Sequence, residues 1–516
     1  MRISARELLG QLLDPHSFVS WDRPPVAVAV AQQYHEDLRK AVLAAGTDES
    51  VLTGEGLLRG RRVAVIACEF GFLAGSIGVA AAERIVSAVE RATEAGLPLV
   101  ASPTSGGTRM QEGTVAFVQM VKIAGAVAVH KAAGYPYLVY LRDPTMGGVF
   151  ASWGSLGHMT FAEPGALIGF LGPRVYKALY GKDFPEGVQT AENLYRSGVI
   201  DGVVPVPVFR RIAHRAMSVL SGVPDSVAAE PGWAAPIRDT GQLTGGPTGD
   251  GTVASGQSPE VSAWESVTIS RRPGRPGLRD LLRHVTQRVP LSGTGQGESD
   301  RTIVHALARF RGRPCVVFGH DRSGQQGEHT MGPAALREAR RSMALAQELR
   351  LPLVLVIDTV GAALSKEAEE RGLAPEIARC IADLVTLDTP TISVLLGQGT
   401  GGGALALLPA DRVLAATHGW LAPLPPEGAS AIVYRDTDHA PELARAQRIR
   451  AVDLRADGIV DRIVPELPDA ADEPVEFARR MVAAIAEELT QLHARPLAQL
   501  RVARHIRYRR LGLPEH

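Results

Sequence analysis

Two pairs of glycines are the residues whose spacing could do chemistry. Gly106 and Gly107 lie in "SPTSGGTRMQEG" (102–113), and Gly147 and Gly148 lie in "DPTMGGV" (143–149). Each pair follows an apolar run and precedes a helix-length stretch, so bare backbone is expected where a strand ends and a helix begins. Glycine there permits positive φ and close approach of a ligand to the main chain. The first N–H groups of a helix have no internal partner and carry the positive end of its dipole. Two such loops converging would supply a pair of donors for one developing negative oxygen, an oxyanion hole. The plainer alternative is that the glycines are only caps and close-packing points.

A second copy of the pattern argues for the functional reading. "GLPLV" (96–100) matches "RLPLV" (350–354), which sets Leu97 on Leu351, 254 positions later. The same offset sets Gly78 on Gly332, Gly107 on Gly361 and Gly148 on Gly402. The copies close alike, in "SGVIDGVVP" (197–205) and "DGIVDRIVP" (457–465). A constant offset at several glycine points reads as an internal duplication.

The elements that must hold these glycines alternate in type. In the first copy, strands are expected at 62–67, 97–101 and 135–142, with helices at 80–96 and 114–134. The second copy repeats the strands at 314–320, 351–358 and 389–397. Strand–helix alternation of this kind implies βαβ units and an α/β fold. Residues 221–260 are rich in Gly, Pro, Ser and Thr without apolar periodicity and read as a flexible linker. The expected organisation is therefore a first domain at 1–220, a linker at 221–260 and a second domain at 261–516.

Other chemistries find little support. Lys+Arg and Asp+Glu are both 55, so the net charge is zero, which argues against a strongly electrostatic nucleic-acid binder. Cys68, Cys315 and Cys380 are far apart, offering neither a disulfide framework nor a four-cysteine zinc site. His158, His305, His320, His329 and His418 show no metal-ligand spacing. Neither a GxxxxGK[ST] phosphate loop nor a GxSxG nucleophile elbow occurs. No signal-like start and no run of 18 apolar residues is evident, so no membrane association is expected and a cytoplasmic protein is the default reading.

At this point the motifs form a resemblance. "CEFGFLAGSIGVAAAERIV" (68–86), "SGGTRMQEG" (105–113), "DPTMGGVFASW" (143–153), "AEPGALIGFLGPRV" (162–175) and "PEGVQTAENLYRSGVID" (185–201) resemble the β subunit of bacterial acetyl-CoA carboxylase carboxyltransferase, over about residues 8–205. "AWESVTISRRPGRPGLRDLL" (263–282), "ARFRGRPCVVFGHD" (308–321), "EAEERGLAPEIAR" (367–379), "GQGTGGGALAL" (397–407) and "PPEGASAIVYRD" (425–436) are similar to its α subunit, over about 262–466. The resemblance implies two tandem crotonase-like domains, each a ββα spiral, fused in β-then-α order. It implies transfer of CO2 from carboxybiotin to the α-carbon of acetyl-CoA or a related acyl-CoA, through an enolate held by backbone N–H groups, feeding fatty acid biosynthesis or another pathway. Gly106, Gly107, Gly147 and Gly148 would serve the acyl-CoA. Gly361, Ala362, Gly402 and Gly403 would serve the biotin ureido oxygen. Arg174 and Lys177 become candidates to meet CoA phosphates, with surface solvation the competing reading.

The same resemblance implies biotin on a separate carrier protein, a separate biotin carboxylase, no metal in this chain, and a homo-oligomer of at least two chains with sites shared between them. The sequence departs from the pattern in three places. No four-cysteine zinc ribbon precedes the first half, the loop "DTVGAALS" (358–365) lacks the usual proline before its glycine, and "HTMGPAALREA" (329–339) lacks the usual aromatic and Pro-Glu-Gly content. The departures keep open a malonyl-type thioester decarboxylase of the same fold, and a second half that only completes an assembly interface.

Overall fold

The computed structural model describes residues 2–28, 32–220, 261–325 and 329–513. The expected linker at 221–260 lies outside them. Two sheets of the same topology are present. The first is built from β1 (Val19–Ser20), β2 (Val51–Leu58), β3 (Arg61–Cys68), β4 (Leu99–Ser102), β5 (Tyr137–Leu141), β7 (Met159–Ala162) and β9 (Gly202–Val203), in that order across the sheet. A two-stranded ribbon, β6 (Thr145–Met146) with β8 (Ile168–Gly169), stands apart from it. The second sheet runs β10 (Gln287–Leu291), β11 (Ile303–Phe310), β12 (Arg313–His320), β13 (Leu353–Thr359), β14 (Thr391–Thr400), β15 (Arg412–Ala416) and β17 (Arg462–Val464). The short β16 (Trp420–Ala422) pairs with the far end of β14. In each sheet the first two pairings are antiparallel and the remaining ones parallel.

The duplication is exact at several element starts. β4 and β13 begin at Leu99 and Leu353, β5 and β14 at Tyr137 and Thr391, and the long helices that precede β4 and β13 at Val79 and Pro333, each 254 positions apart. Parallel strands covered on both faces need apolar residues throughout, and β3 is buried from Val63 to Cys68. That is why β3, β4 and β5, and β12, β13 and β14 in the second half, were legible in sequence. The edge and hairpin strands β1, β2, β10 and β11, and the late parallel strands β7, β9, β15 and β17, were not.

The Gly113–Ala132 helix is apolar on nearly every side. By length and composition the stretch Met110–Ala132 could cross a membrane, with mean hydropathy 1.4, yet most of it is buried inside the protein. A helix apolar all round belongs in a core. This one packs on the Val79–Glu94 helix of its own half and on the Leu373–Thr386 helix of the other. One hydrophobic cluster runs from Val51 through Phe117 and Ile377 to Leu511, so the two halves share a core. The Leu497–Arg510 helix closes the join. Arg509 reaches Glu83 and Glu90 at 2.6 and 2.7 Å, and Gln119 donates to Leu511 O at 3.0 Å.

Candidate functional site

β4 ends at Ser102, and the next helix begins only at Gly113, after a 3-10 turn at Met110–Glu112. Gly106 and Gly107 therefore do not open a helix, contrary to the sequence expectation. They lie in an irregular loop, and their N–H groups are already spent. Gly106 N donates to Ala74 O at 2.9 Å. Gly107 N donates to Ser105 Oγ at 3.0 Å, and the same hydroxyl donates to Gly107 O at 3.2 Å. This staple holds Gly107 at φ +119°, a conformation that needs glycine. The free donor of the loop is the next residue. Thr108 N makes no hydrogen bond among the described residues, because its flanks, Gly107 O and Arg109 N, take up the bridge to Ile77 at 3.0 Å each.

Gly147 and Gly148 do open a helix, Gly147–Phe150, directly after β6. Gly147 has φ +62°, and the first N–H groups of this turn have no intrahelical acceptor. The two loops are lashed together. Ser105 N donates to Pro144 O at 2.7 Å and Met146 N donates to Ser105 O at 2.9 Å. A Cβ placed on Gly107 would lie 3.9 Å from Gly148 N, and one on Gly148 would lie 3.0 Å from Thr108 Oγ1. Unspent N–H groups of Thr108 and Gly148 thus come from adjacent residues on different loops.

The charged residues of "SGGTRMQEG" hold this loop in place. Arg109 is buried and bidentate to Glu49, at 2.5 and 3.0 Å, and also donates to Ser76 O at 2.7 Å. Glu112 accepts from Val79 N at 2.6 Å, at the start of the Val79–Glu94 helix, and from Tyr34 Oη at 2.6 Å.

The second half repeats the device with different residues. Thr359 Oγ1 accepts from Gly361 N at 3.1 Å and can donate to Gly361 O at 2.9 Å or to Gln325 Oε1 at 2.7 Å. Gly361 has φ +137°, and Gly401, which opens the Gly401–Leu405 helix, repeats the +62° of Gly147. Gly361 N is therefore spent, as Gly107 N is, and cannot serve as the expected donor. Ala362 N makes no hydrogen bond among the described residues; Ala363 N, not Ala362 N, donates to Met331 O at 2.9 Å. A Cβ on Gly403 would lie 3.3 Å from Ala362 N, so the helix start and the loop meet here too. The unusual "DTVGAALS" loop keeps the backbone shape of its first-half counterpart.

The remaining expected residues divide. Gly402 is filled in on one side, since a Cβ there would lie 2.8 Å from the Phe170 ring and 2.9 Å from Ile377 Cδ1. Lys177, on the Pro173–Tyr180 helix, is exposed and 2.9 Å from Asp183. The side chain of Arg174 lies outside the described residues. No group of three or more His, Cys, Asp or Glu able to hold a metal is present among the described residues, and the three cysteines are buried and free. Ser105 and Thr359, at the constant offset, and Thr108 went unread in the sequence. The repeat itself contained the signal, because a hydroxyl residue stands two places before each loop glycine.

One buried carboxylate lies between the halves. Glu369 Oε1 accepts from Phe170 N at 2.8 Å and from Gln189 Nε2 at 2.7 Å. Burial pushes its carboxyl up to about 7, against the opposing pull of those donors and of Leu171 N. The carbonyl oxygen of Phe170, in turn, is 3.9 Å from where a Gly147 Cβ would stand. Phe170 therefore touches both glycine sites.

Twin cradles of free backbone N–H groups thus stand at equivalent places on a duplicated α/β fold. The carboxyl transferase domain family matches residues 2–502, and the chain belongs to that family. It is 63% identical over 514 residues to a probable biotin-dependent acyl-coenzyme A carboxylase beta3 subunit of Mycobacterium tuberculosis, covering 99% of each chain. It is 37% identical over 524 residues to the acetyl-coenzyme A carboxylase carboxyl transferase subunits beta/alpha of Salinispora arenicola, covering 99% of this chain and 91% of the relative. A transcarboxylase 12S crystal structure aligns over 96% of this chain and 91% of its own, at 21% identity and a TM-score of 0.38, a likeness too loose to add to the family match. The protein is a carboxyltransferase of the biotin-dependent acyl-CoA carboxylase type, acting on a CoA thioester.

Proposed function

We propose that the first-half cradle holds the thioester oxygen of acetyl-CoA or a related acyl-CoA, and the second-half cradle the ureido oxygen of biotin. The observation that carries this reading is the pair of equivalent free donors, Thr108 N and Ala362 N, 254 positions apart, each beside a helix start opened by glycine and each in a loop fixed by a hydroxyl staple. The second cradle suits a ureido group, because the unspent Ala362 N–H, where a methyl would intrude, can meet an oxygen that approaches the main chain closely. Biotin, when bound on its carrier, supplies the carboxyl group and a ureido nitrogen able to take the α-proton.

The chain's own part is electrostatic. When the α C–H bond of the acyl-CoA breaks, the electron pair moves onto the thioester oxygen as an enolate. Thr108 N and Gly148 N stabilise that charge. The enolate carbon then forms the new C–C bond to CO2, and the oxygen returns to a carbonyl. No side-chain base is required. Each backbone donor of this type is worth roughly 3–4 kcal/mol of barrier.

The intact loop conformation at Gly361 favours transfer over a decarboxylase lacking the biotin side. We further infer a cytoplasmic homo-oligomer that works with a separate biotin carboxylase and biotin carboxyl carrier protein, its product malonyl-CoA or a homologue. In each site the first half of one chain would face the second half of another, consistent with the Phe170 ring filling one side of Gly402 within a single chain. The test is malonyl-CoA-dependent carboxylation of free biotin, followed by acetyl-, propionyl- and longer acyl-CoAs as acceptors. CO2 release from malonyl-CoA at the same rate without biotin would overturn the reading in favour of a decarboxylase.

A further inference from the structure

The two cradles are near copies, yet they must hold different groups, and one position distinguishes them by chemistry. Thr400 is the last residue of β14 and the N-cap of the Gly401–Leu405 helix. It is 2% exposed, and its Oγ1 has no hydrogen-bond partner among the described residues. A buried hydroxyl is nearly always paired, so an orphan at this place asks for a ligand. Its place is the second cradle. The Thr400 methyl, Cγ2, is 3.9 Å from where a Cβ on Gly361 would stand, and the hydroxyl is the other branch on the same carbon, exchanged with the methyl by one rotamer step. In the first half the equivalent position, 254 residues earlier, is Met146, whose side chain has no O–H or N–H to give. A thioester offers one oxygen, which the two backbone donors satisfy. A cyclic urea offers an oxygen flanked by two nitrogens, and has use for a further hydrogen bond.

Resting on the assignment of the second cradle to biotin, we propose that Thr400 is a specificity residue: its hydroxyl hydrogen-bonds the ureido group, and Met146 withholds that bond from the thioester side. Thr400 acts by binding and positioning, and takes no proton in the reaction.

The test is equilibrium binding, separate from turnover. Free biotin is titrated into the full chain by NMR, and acyl-CoA by calorimetry, for wild type, Thr400→Val and Thr400→Ser. Valine keeps the shape and removes the hydroxyl; serine keeps the hydroxyl. Thr400→Val should weaken biotin binding roughly tenfold, as expected for a lost hydrogen bond. Thr400→Ser should restore it to within about threefold of wild type, and acyl-CoA affinity should be unchanged in both. Equal biotin affinity in Thr400→Val and wild type would overturn the proposal. A parallel loss of acyl-CoA affinity would also overturn it, by marking a structural role. If wild type binds acyl-CoA but no biotin, the assignment of the cradle itself fails, and the role of Thr400 with it.

Discussion

Phe170 and Gly402 are in contact across the two halves of the chain. The ring of Phe170 occupies the space that a side chain on Gly402 would need, 2.8 Å from its would-be Cβ. Gly402→Ala should therefore lower stability by about 1–3 kcal/mol through overpacking. Combining it with Phe170→Leu should cost less than the sum of the single changes, since the pair shares one space. Urea denaturation of the four proteins measures the coupling, and strict additivity would show that the contact is not the cause.

Gly403→Ala is the cleaner probe of catalysis. Gly403 lies inside a helix start without positive φ, and the added methyl would sit 3.3 Å from Ala362 N. We expect a folded protein whose turnover falls by roughly 10²–10³, with acyl-CoA affinity near wild type. Normal turnover would mean that Ala362 N is not a donor in the reaction. Gly148→Val serves less well, because the new side chain would meet Thr108 Oγ1 at 3.0 Å and Met120 Cγ at 3.3 Å, so its loss of activity would mix packing with chemistry.

The staples should be worth measuring separately. Ser105→Ala strands the N–H of Gly107, whose carbonyl keeps Ile77 N as a donor, and Thr359→Val strands the N–H of Gly361. Each should cost about 1–3 kcal/mol of stability. Ser105→Ala should also reduce turnover with acyl-CoA, and Thr359→Val should weaken biotin binding while leaving acyl-CoA binding intact. If both variants match wild type in stability and binding, the cradle shape is held by other contacts.

Glu369 gives a pH dependence of definite sign. With a folded value of about 7 against an ordinary 4.5, the folded state keeps a proton between those values that the unfolded chain has released. The stabilisation is present at low pH and lost as pH rises through about 7. His130, His305 and His320, each held down to about 4 by burial, act oppositely. The unfolded chain protonates first, so they weaken the fold as pH falls from 6.5 toward 4. Comparing wild type with Glu369→Gln cancels the histidines. The wild-type advantage should shrink by an amount on the order of 2–3 kcal/mol between pH 5 and pH 8. A difference flat in pH would place the titration elsewhere.

Arg504 anchors the last helix. Its side chain is fully buried, pairs with Asp411 at 2.7 Å, and donates to Leu384 O, Leu387 O and Thr389 O at 2.8–2.9 Å. Arg504→Met removes the cation beside a buried carboxylate, which keeps only Thr391 as a donor among the described residues, and takes one donor from each of three carbonyls, and should cost about 3–5 kcal/mol. A loss under about 1 kcal/mol, read by denaturation, would show that the helix docks through its apolar contacts alone.

The sequence by itself determined the duplication, the central parallel strands, the glycine loops and the family. These are local facts, because a strand buried on both faces must be apolar throughout, and loop positions at φ +119° and +137° call for glycine. Gly107 and Gly361 were legible for that reason. Only the tertiary structure decided which N–H groups remain unspent. Whether Gly107 or Thr108 is the free donor depends on where Ser105 Oγ and Ile77 O lie, and no local pattern encodes that. The same holds for Arg109, which meets Glu49 sixty residues away in sequence, and for Phe170, which reaches Gly402 across the shared core. Burial orphans the hydroxyl of Thr400 and raises the carboxyl of Glu369, and burial is a property of the packed chain.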